Sequence, residues 1–233
     1  TLHNKAEGLI SYINLLFIPS SRPYDIFNPD RKANLKLYVR RVFITDDCEG
    51  LIPPYLRFVK GIIDTDDIDL NVSREMLQNN PVVAKIKSAI IKRVISELKK
   101  KANKEPEDYA KFWDAFGAVL KEGIHEDFTN RDKILEVCRF KSSESEKLIS
   151  LDDYVSRMKD GQDKIYYVSG EDENKLSQSP HLEGFKAKGI EVIYMTDPVD
   201  EFWLPSVGKF SDKDFQSITK GGADLDKIKS DKK

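Results

Sequence analysis

The chain has 233 residues, of which 38 are basic and 40 acidic, for a formal net charge of −2. This balance gives no global field that would attract nucleic acid or an anionic membrane, so any basic site must be local. Hydrophobic residues make up 39% of the sequence and charged residues 33%, which predicts a soluble protein with a real core under a strongly solvated surface. At about 100–200 residues per domain, the length predicts two unequal subdomains.

Cysteine and histidine usage excludes most metal and redox chemistry. Cys48 and Cys138 are far apart, with no CxxC pair and no histidine at zinc-ligand spacing, so neither a metal site nor a disulfide framework is predicted. Both read as core residues in a reducing compartment. Apolar runs such as 15–19 are too short to span a bilayer, and no secretory signal is present. Thr1 in place of an initiating methionine indicates a piece of a longer protein.

The first hundred residues predict a sheet followed by a helix. Extended segments rich in apolar and β-branched residues are predicted over 9–18, 34–45 and roughly 58–64. After Pro81, apolar residues recur at helical spacing to about Lys101, which predicts a helix packed on that sheet. The lysines at its end complement the helix dipole, so they are not read as a nucleic-acid site.

The most informative pattern is Ser73-Arg74-Glu75, with Gln78 one helical turn after Arg74. Ser73 is a good N-cap, so Arg74 falls at the first helical position, where its charge opposes the helix dipole by about 0.3–1 kcal/mol. Backbone N–H groups, a guanidinium and the Gln78 amide together suit a phosphate arriving from outside the chain. The alternative is an arginine that points into solvent or pairs with Glu75 or the acidic loop 64–69.

The acidic loop partly resembles a calcium-binding loop. It fails because Ile68 stands at position five of the loop, where a ligand is needed, and Asp69 takes the position of the turn glycine, so no metal site is predicted. Ile68 and Leu70 are apolar in otherwise acidic surroundings. They either pack inside the protein or contact a partner domain.

The second half predicts a helical connector and then another α/β unit. Pro106 opens a helix with an aromatic stripe, closed by Gly123, and Asn130 starts a shorter one, so 103–140 reads as a connector. Ser150 and Asp153 form a capping-box pair that opens the next helix. Strands are predicted over 164–169 and 190–196, joined by a partly helical crossover, which favours a parallel pair. A helix over 199–204 and a frayed tail from 221 onwards complete the prediction.

Self-contained catalytic signatures are missing from the sequence. It contains no Walker P-loop, GxGxxG, GxSxG, HExxH or kinase catalytic loop. The chain is therefore not expected to turn over substrate alone.

Six motifs carry a resemblance: LLFIP (15–19), LYVRRVFI (37–44), FVKG (58–61), LNVSREMLQ (70–78), DYVSRM (153–158) and IYY (165–167). In this order they resemble the middle domain of the heat-shock protein 90 chaperone family, in its bacterial form, over nearly the whole chain. The resemblance implies an α/β fold with a larger α/β sandwich over 1–102, a short helical connector over 103–140 and a smaller α/β sandwich over 141–228. Residues 229–233 would be a frayed tail.

The resemblance also implies roles for individual residues. In that family ATP, with magnesium, is bound in a separate N-terminal domain, and the middle domain completes the site on docking. Arg74 would hold the ATP γ-phosphate and stabilise the charge of phosphoryl transfer, and Gln78 would assist there or fix the loop. Phe43, Ile68 and Leu70 match apolar positions that meet the nucleotide domain, although as isolated residues they read equally well as core.

Partners are implied in the same way. They are the N-terminal nucleotide-binding domain and the C-terminal dimerisation domain of the same chain, and unfolded or partly folded client proteins. The parent is expected to be a cytoplasmic homodimer. The present piece, which lacks the first strand and a tryptophan-bearing segment of the middle domain, is expected to be monomeric and to bind no ATP stably.

The sequence leaves two other functions open. One is a non-catalytic module that binds clients or cochaperones, in which Arg74 is structural. The other is an independent small-molecule α/β enzyme, which would need a pocket with convergent titratable groups that the sequence does not show.

Overall fold

A computed structural model of the chain describes residues 1–6, 10–28, 35–46, 48–71, 73–220, 225 and 228, without the side chains of Glu49 and Arg74. It divides into two compact units, Thr1–Leu120 (unit 1) and Lys121–Lys233 (unit 2). The division falls inside the segment 103–140, which the sequence predicts as a connector. The three-part division drawn from the resemblance stays a prediction.

Unit 1 is built on a five-stranded mixed sheet with the strand order β1-β2-β5-β3-β4. The strands are β1 (Leu2–Ala6), β2 (Tyr12–Phe17), β3 (Leu35–Val39), β4 (Val42–Thr45) and β5 (Lys60–Thr65). β3 and β5 run parallel, whereas the other neighbouring strands are antiparallel. The sequence predicts β2 and β5 closely but not β1.

The helices of unit 1 bury apolar residues that recur at helical spacing. They are α1 (Arg74–Gln78), α2 (Pro81–Lys104) and the first part of α3 (Pro106–Glu126), which continues into unit 2. Asn80 caps α2 by accepting a hydrogen bond at Oδ1 from Val82 N at 2.8 Å. The buried residues of α2 follow the predicted helical spacing: Val83, Ile86, Ile90, Val94 and Leu98.

The aromatic stripe of α3 belongs to the core of unit 1, as its spacing predicts. Tyr109, Trp113 and Phe116 are buried. The ring of Phe116 lies 5.1 Å from that of Phe58, which is two residues before β5. The predicted stop at Gly123 is wrong, because α3 runs on to Glu126.

The single extended segment predicted over 34–45 is also wrong, because the chain reverses in its middle. β3 and β4 form a hairpin with a two-residue turn in which Arg40 and Arg41 have φ of 49° and 67°. The backbone N–H of Arg40 donates to Thr65 O and that of Arg41 to Asp64 Oδ1, each at 3.1 Å. These bonds hold the turn although the left-handed conformation costs a non-glycine residue roughly 1–2 kcal/mol.

Unit 2 contains a second five-stranded sheet with the order β6-β8-β7-β10-β9. The strands are β6 (Lys141–Ser142), β7 (Lys164–Ser169), β8 (Ile193–Met195), β9 (Lys209–Phe210) and β10 (Lys213–Ser217). β7 is parallel to both β8 and β10, so the predicted parallel pair is confirmed. The sequence does not predict β6, β9 or β10.

In the described part of unit 2, five short helices accompany this sheet: α4 (Arg131–Val137), α5 (Leu151–Ser156), α6 (Glu173–Ser177), α7 (Glu183–Ala187) and α8 (Asp200–Val207). The capping box of α5 is confirmed, since Ser150 Oγ accepts from Asp153 N at 3.0 Å and Asp153 Oδ2 accepts from Ser150 N at 2.9 Å. Most of the predicted frayed tail lies outside the described residues. Within the described part of the chain, no helix combines the length and hydropathy needed to cross a membrane.

Candidate functional site

The predicted site residues are connected to one edge of the unit 1 sheet. The parallel strands β3 and β5 end at the same edge, which is where α/β folds commonly place ligand contacts. β3 leads into the Arg40-Arg41 turn, and β5 leads into the loop that reaches α1. Phe43 pairs with Tyr38, which in turn pairs with Asp64, so the hairpin and the acidic loop share this edge.

Helix α1 holds Arg74 at its first position, as the sequence predicts. Ser73 is the N-cap and accepts from Met76 N at Oγ, at 3.4 Å. Leu77, which is 1% exposed, anchors the helix in the core, whereas Gln78 at its end is exposed. Arg74 therefore lies between the cap and the buried anchor of this short helix. Its side chain lies outside the described part, so its role at a phosphate stays a prediction.

The acidic loop is tied to the rest of unit 1 by hydrogen bonds. Asp64 accepts from the turn at Arg41, and Asp67 Oδ2 accepts from Ser11 N at 2.5 Å. Thr65 Oγ1 donates to Ser11 O at 2.9 Å. The alternative interpretation pairs Arg74 with the acidic loop. Two carboxylates of that loop, those of Asp64 and Asp67, already accept hydrogen bonds from backbone N–H groups.

The three predicted interdomain contact residues differ in exposure. Phe43 is 52% exposed and packs edge-on against Tyr38 at 5.6 Å, and Leu70 is 46% exposed. Ile68 is only 2% exposed, so it belongs to the core of unit 1. Phe43 on β4 and Leu70 before α1 each offer apolar surface, while Ile68 supports the loop from within. Contact of any of them with another domain stays a prediction.

Unit 2 contains a buried ionic cluster that sequence reasoning missed. Lys121 Nζ lies 2.9 Å from Asp200 Oδ1 and 2.8 Å from Asp197 Oδ2. The side chains of Lys121 and Asp200 are 3% and 1% exposed, and that of Asp197 is 33% exposed. Burial alone would lower the pKa of Lys121, but the carboxylates of Asp200 and Asp197 outweigh it and raise that pKa. Lys121 is therefore held in its charged form.

A surface with two exposed aromatic rings lies on neighbouring elements of unit 2. Phe128, after α3, and Phe202, on α8, are 70% and 66% exposed. The guanidinium of Arg131 sits 4.2 Å above the Phe128 ring, and its Nη1 donates to Ser206 O at 3.2 Å. Since Ser206 is one turn after Phe202 on α8, Arg131 links the two aromatic elements. We call Phe128, Arg131 and Phe202 the aromatic patch.

The geometry defines a two-unit α/β protein, and comparison with solved structures identifies the class. The structure superposes on the middle domain of a Plasmodium falciparum heat shock protein with a TM-score of 0.80 and 33% sequence identity. The match covers 94% of this chain and 87% of that one. The predicted α/β fold class is therefore confirmed, and the fold is that of a heat-shock middle domain.

Sequence comparison gives the family. The model of the family described as "Hsp90 protein" matches residues 1–233, and the chain belongs to this family. It is 60% identical over 230 residues to the chaperone protein HtpG of Paramagnetospirillum magneticum, covering 99% of this chain and 37% of the relative. It is 56% identical over 232 residues to HtpG of Roseobacter denitrificans, covering 100% of this chain and 37% of the relative. The chain thus spans somewhat more than a third of these relatives, and the predicted family is confirmed.

Proposed function

We propose that this chain is the middle segment of an ATP-dependent chaperone and supplies Arg74 to ATP bound in a separate N-terminal domain. The observation that carries the proposal is the placement of Arg74. It is the first residue of a helix that is capped by Ser73 and anchored by Leu77. A cation at the start of a capped and anchored helix suits a γ-phosphate that arrives from another domain.

The remaining parts of the site follow from this placement. Gln78, exposed one turn after Arg74, would bind the same phosphate or steady the loop. Phe43 and Leu70 would dock on the nucleotide domain, which would itself hold most of the ATP, its magnesium ion and the base that activates water. The parent would be a cytoplasmic homodimer joined by a C-terminal domain. Its cytoplasmic location is supported by the two buried cysteine thiols.

The test is steady-state ATPase kinetics of the full-length parent with Arg74→Ala. We expect kcat to fall about 10-fold or more, equivalent to ~1.4 kcal/mol of barrier, with ATP affinity and Tm little changed. Arg93→Ala is the matched control, because Arg93 is an exposed arginine of the same unit that pairs with Glu97 along α2. An unchanged kcat in Arg74→Ala would favour the non-catalytic binding module instead.

We further propose that the aromatic patch contributes surface for unfolded clients. Phe128 and Phe202 expose large rings, and the guanidinium of Arg131 stacks on the ring of Phe128. Aromatic side chains, including phenylalanine, are enriched at the cores of protein interfaces. Because an unfolded chain presents apolar side chains, its chemistry complements the exposed rings of this patch.

Client binding is tested with the double variant Phe128→Ser/Phe202→Ser in the full-length parent. The client Kd should rise about 10-fold, equivalent to ~1.4 kcal/mol, while kcat for ATP stays unchanged. Tyr24→Ser is the control, since Tyr24 is a fully exposed aromatic residue of unit 1. Equal weakening by the control, or an unchanged Kd in the double variant, would count against a client site here.

A further inference from the structure

Helix α8 is fastened at both ends to the segment that carries Phe128. At its N-terminal end, the carboxylate of Asp200 accepts hydrogen bonds from Lys121 Nζ of α3, at 2.9 Å to Oδ1 and 3.0 Å to Oδ2. At its C-terminal end, Ser206 O receives Arg131, whose Nε also donates to Ile124 O of α3 at 2.9 Å. α8 is therefore attached to α3 at one end and to the corner between α3 and α4 at the other.

The attachment at Asp200 is unusually well defined for a helix contact. Besides Lys121, the Asp200 carboxylate accepts from Trp203 Nε1 at 2.7 Å and from Asp197 N at 3.2 Å. An apolar contact would tolerate rotation of the helix about its axis. Because several donors converge on one buried carboxylate, rotation would leave a charge unpaired in a low-dielectric interior. The orientation of α8 is thereby fixed.

This orientation decides where the aromatic patch lies. Trp203 is fully buried and its neighbour Phe202 is 66% exposed, so the cluster that holds Trp203 inward turns Phe202 outward. On α3, Lys121 is two helical turns before the segment that presents Phe128. One ionic contact thus joins the two elements that carry the exposed rings.

We propose that Lys121 and Asp200 are positioning residues, which fix the disposition of Phe202 relative to Phe128 and thereby set the shape of the aromatic patch. The consequence for client binding rests on the proposed function of that patch. The geometric part does not, because it concerns only α3 and α8.

The geometric part is tested by measuring distances between spin labels. Labels are attached at Phe128→Cys and Phe202→Cys in the full chain, where the native Cys48 and Cys138 are buried and do not compete. Lys121→Met leaves the buried carboxylate of Asp200 and the partly buried one of Asp197 without their cation and is at risk of not folding. Lys121→Met/Asp197→Asn/Asp200→Asn removes all three charges and is the variant that decides.

We expect this neutral variant to fold and to show a broadened or shifted distance distribution between positions 128 and 202. Glu201→Gln is the matched control, because Glu201 is an exposed acid of α8 outside the cluster, and its distribution should match that of the unsubstituted cluster. An unchanged distribution in the folded neutral variant would overturn the proposal.

Client affinity of the full-length parent then separates the two proposals. With wild-type Phe128 and Phe202, the neutral cluster variant should bind clients several-fold more weakly at a temperature where it is folded. A purely stabilising cluster would lower Tm and leave Kd unchanged, which would overturn the functional consequence. If Phe128→Ser/Phe202→Ser leaves Kd unchanged while the distance distribution responds to the cluster, the client proposal fails and the positioning role stands.

Discussion

Cys138 shows what burial beside the ionic cluster does to a single residue. It has no exposed surface, and burial raises the pKa of its thiol to about 12, partly opposed by the positive charge of Lys121. The thiolate is the reactive form, so at pH 8 its population should be about 1,000-fold or more below that of an ordinary cysteine. We expect Cys138 not to react with iodoacetamide in the folded protein.

The measurement uses a Cys48→Ser variant, so that labelling at Cys138 alone is followed by mass spectrometry. Labelling should become rapid only in urea concentrations that unfold unit 2, and its rate should follow the unfolding of that unit. Fast labelling of the folded protein at pH 8 would show that the interior around Lys121 opens far more readily than its burial indicates.

The contacts of some of these residues are predictable from the sequence, and those of others are not. The capping pair Ser150 and Asp153 is predictable because both partners lie within one helical turn. Lys121 is not, because its partner Asp200 is far along the chain and a lysine on an amphipathic helix is ordinarily solvated. For Arg74 the sequence predicts the helical position, while its chemistry comes from the family resemblance.

At the scale of elements, the turn between β3 and β4 is strained where most hairpins are relaxed. Two-residue hairpin turns with positive φ favour Asn-Gly, yet Arg40 and Arg41 occupy both positions here. We expect Arg40→Asn/Arg41→Gly to raise the free energy of unfolding of unit 1 by about 1 kcal/mol, since roughly 1–2 kcal/mol of strain per residue is relieved and some side-chain contact is lost.

Urea unfolding followed by circular dichroism measures the gain. The control is Arg40→Lys/Arg41→Lys, which keeps the charge and the strain and should give no increase. A gain in the lysine variant, or none in the Asn-Gly variant, would show that strain at the turn does not limit stability. If the stabilised variant also slows the ATPase of the parent, Arg40 and Arg41 contribute to activity at the cost of stability.

The same turn shows why short elements are harder to predict from sequence than a long amphipathic helix. α2 follows from its period because apolar residues recur over many turns. The hairpin is missed because Arg-Arg carries no glycine or asparagine signal, and its turn is held by Thr65 and Asp64 from a distant strand. β9 is missed because two residues are too few to show alternation, and β10 because its five residues, KDFQS, are mostly polar.

For the whole molecule, the proposed sharing of the ATPase site between two domains predicts what happens when the separated domains are mixed. If the base and most of the nucleotide site lie on another domain, the purified chain should hydrolyse no ATP above background. Mixed with a separately purified N-terminal domain of the same parent, it should raise the hydrolysis rate of that domain. The hydrolysis rate should rise slowly with chain concentration and approach saturation only near the millimolar range. In the intact parent, the linker between the domains supplies an effective concentration of about that size, so the separated domains need the same concentration in solution.

The Arg74→Ala chain separates docking from catalysis in this assay. If Phe43 and Leu70 make the contact and Arg74 acts on the phosphate, the variant should compete with the wild-type chain for the N-terminal domain and yet fail to stimulate it. Phe43→Ser/Leu70→Ser should show the reverse defect. A higher chain concentration should be needed for half-maximal stimulation, while the hydrolysis rate at saturation stays unchanged. Equal stimulation by wild-type and Arg74→Ala chains would remove Arg74 from the reaction and leave docking as the contribution of this edge of the sheet.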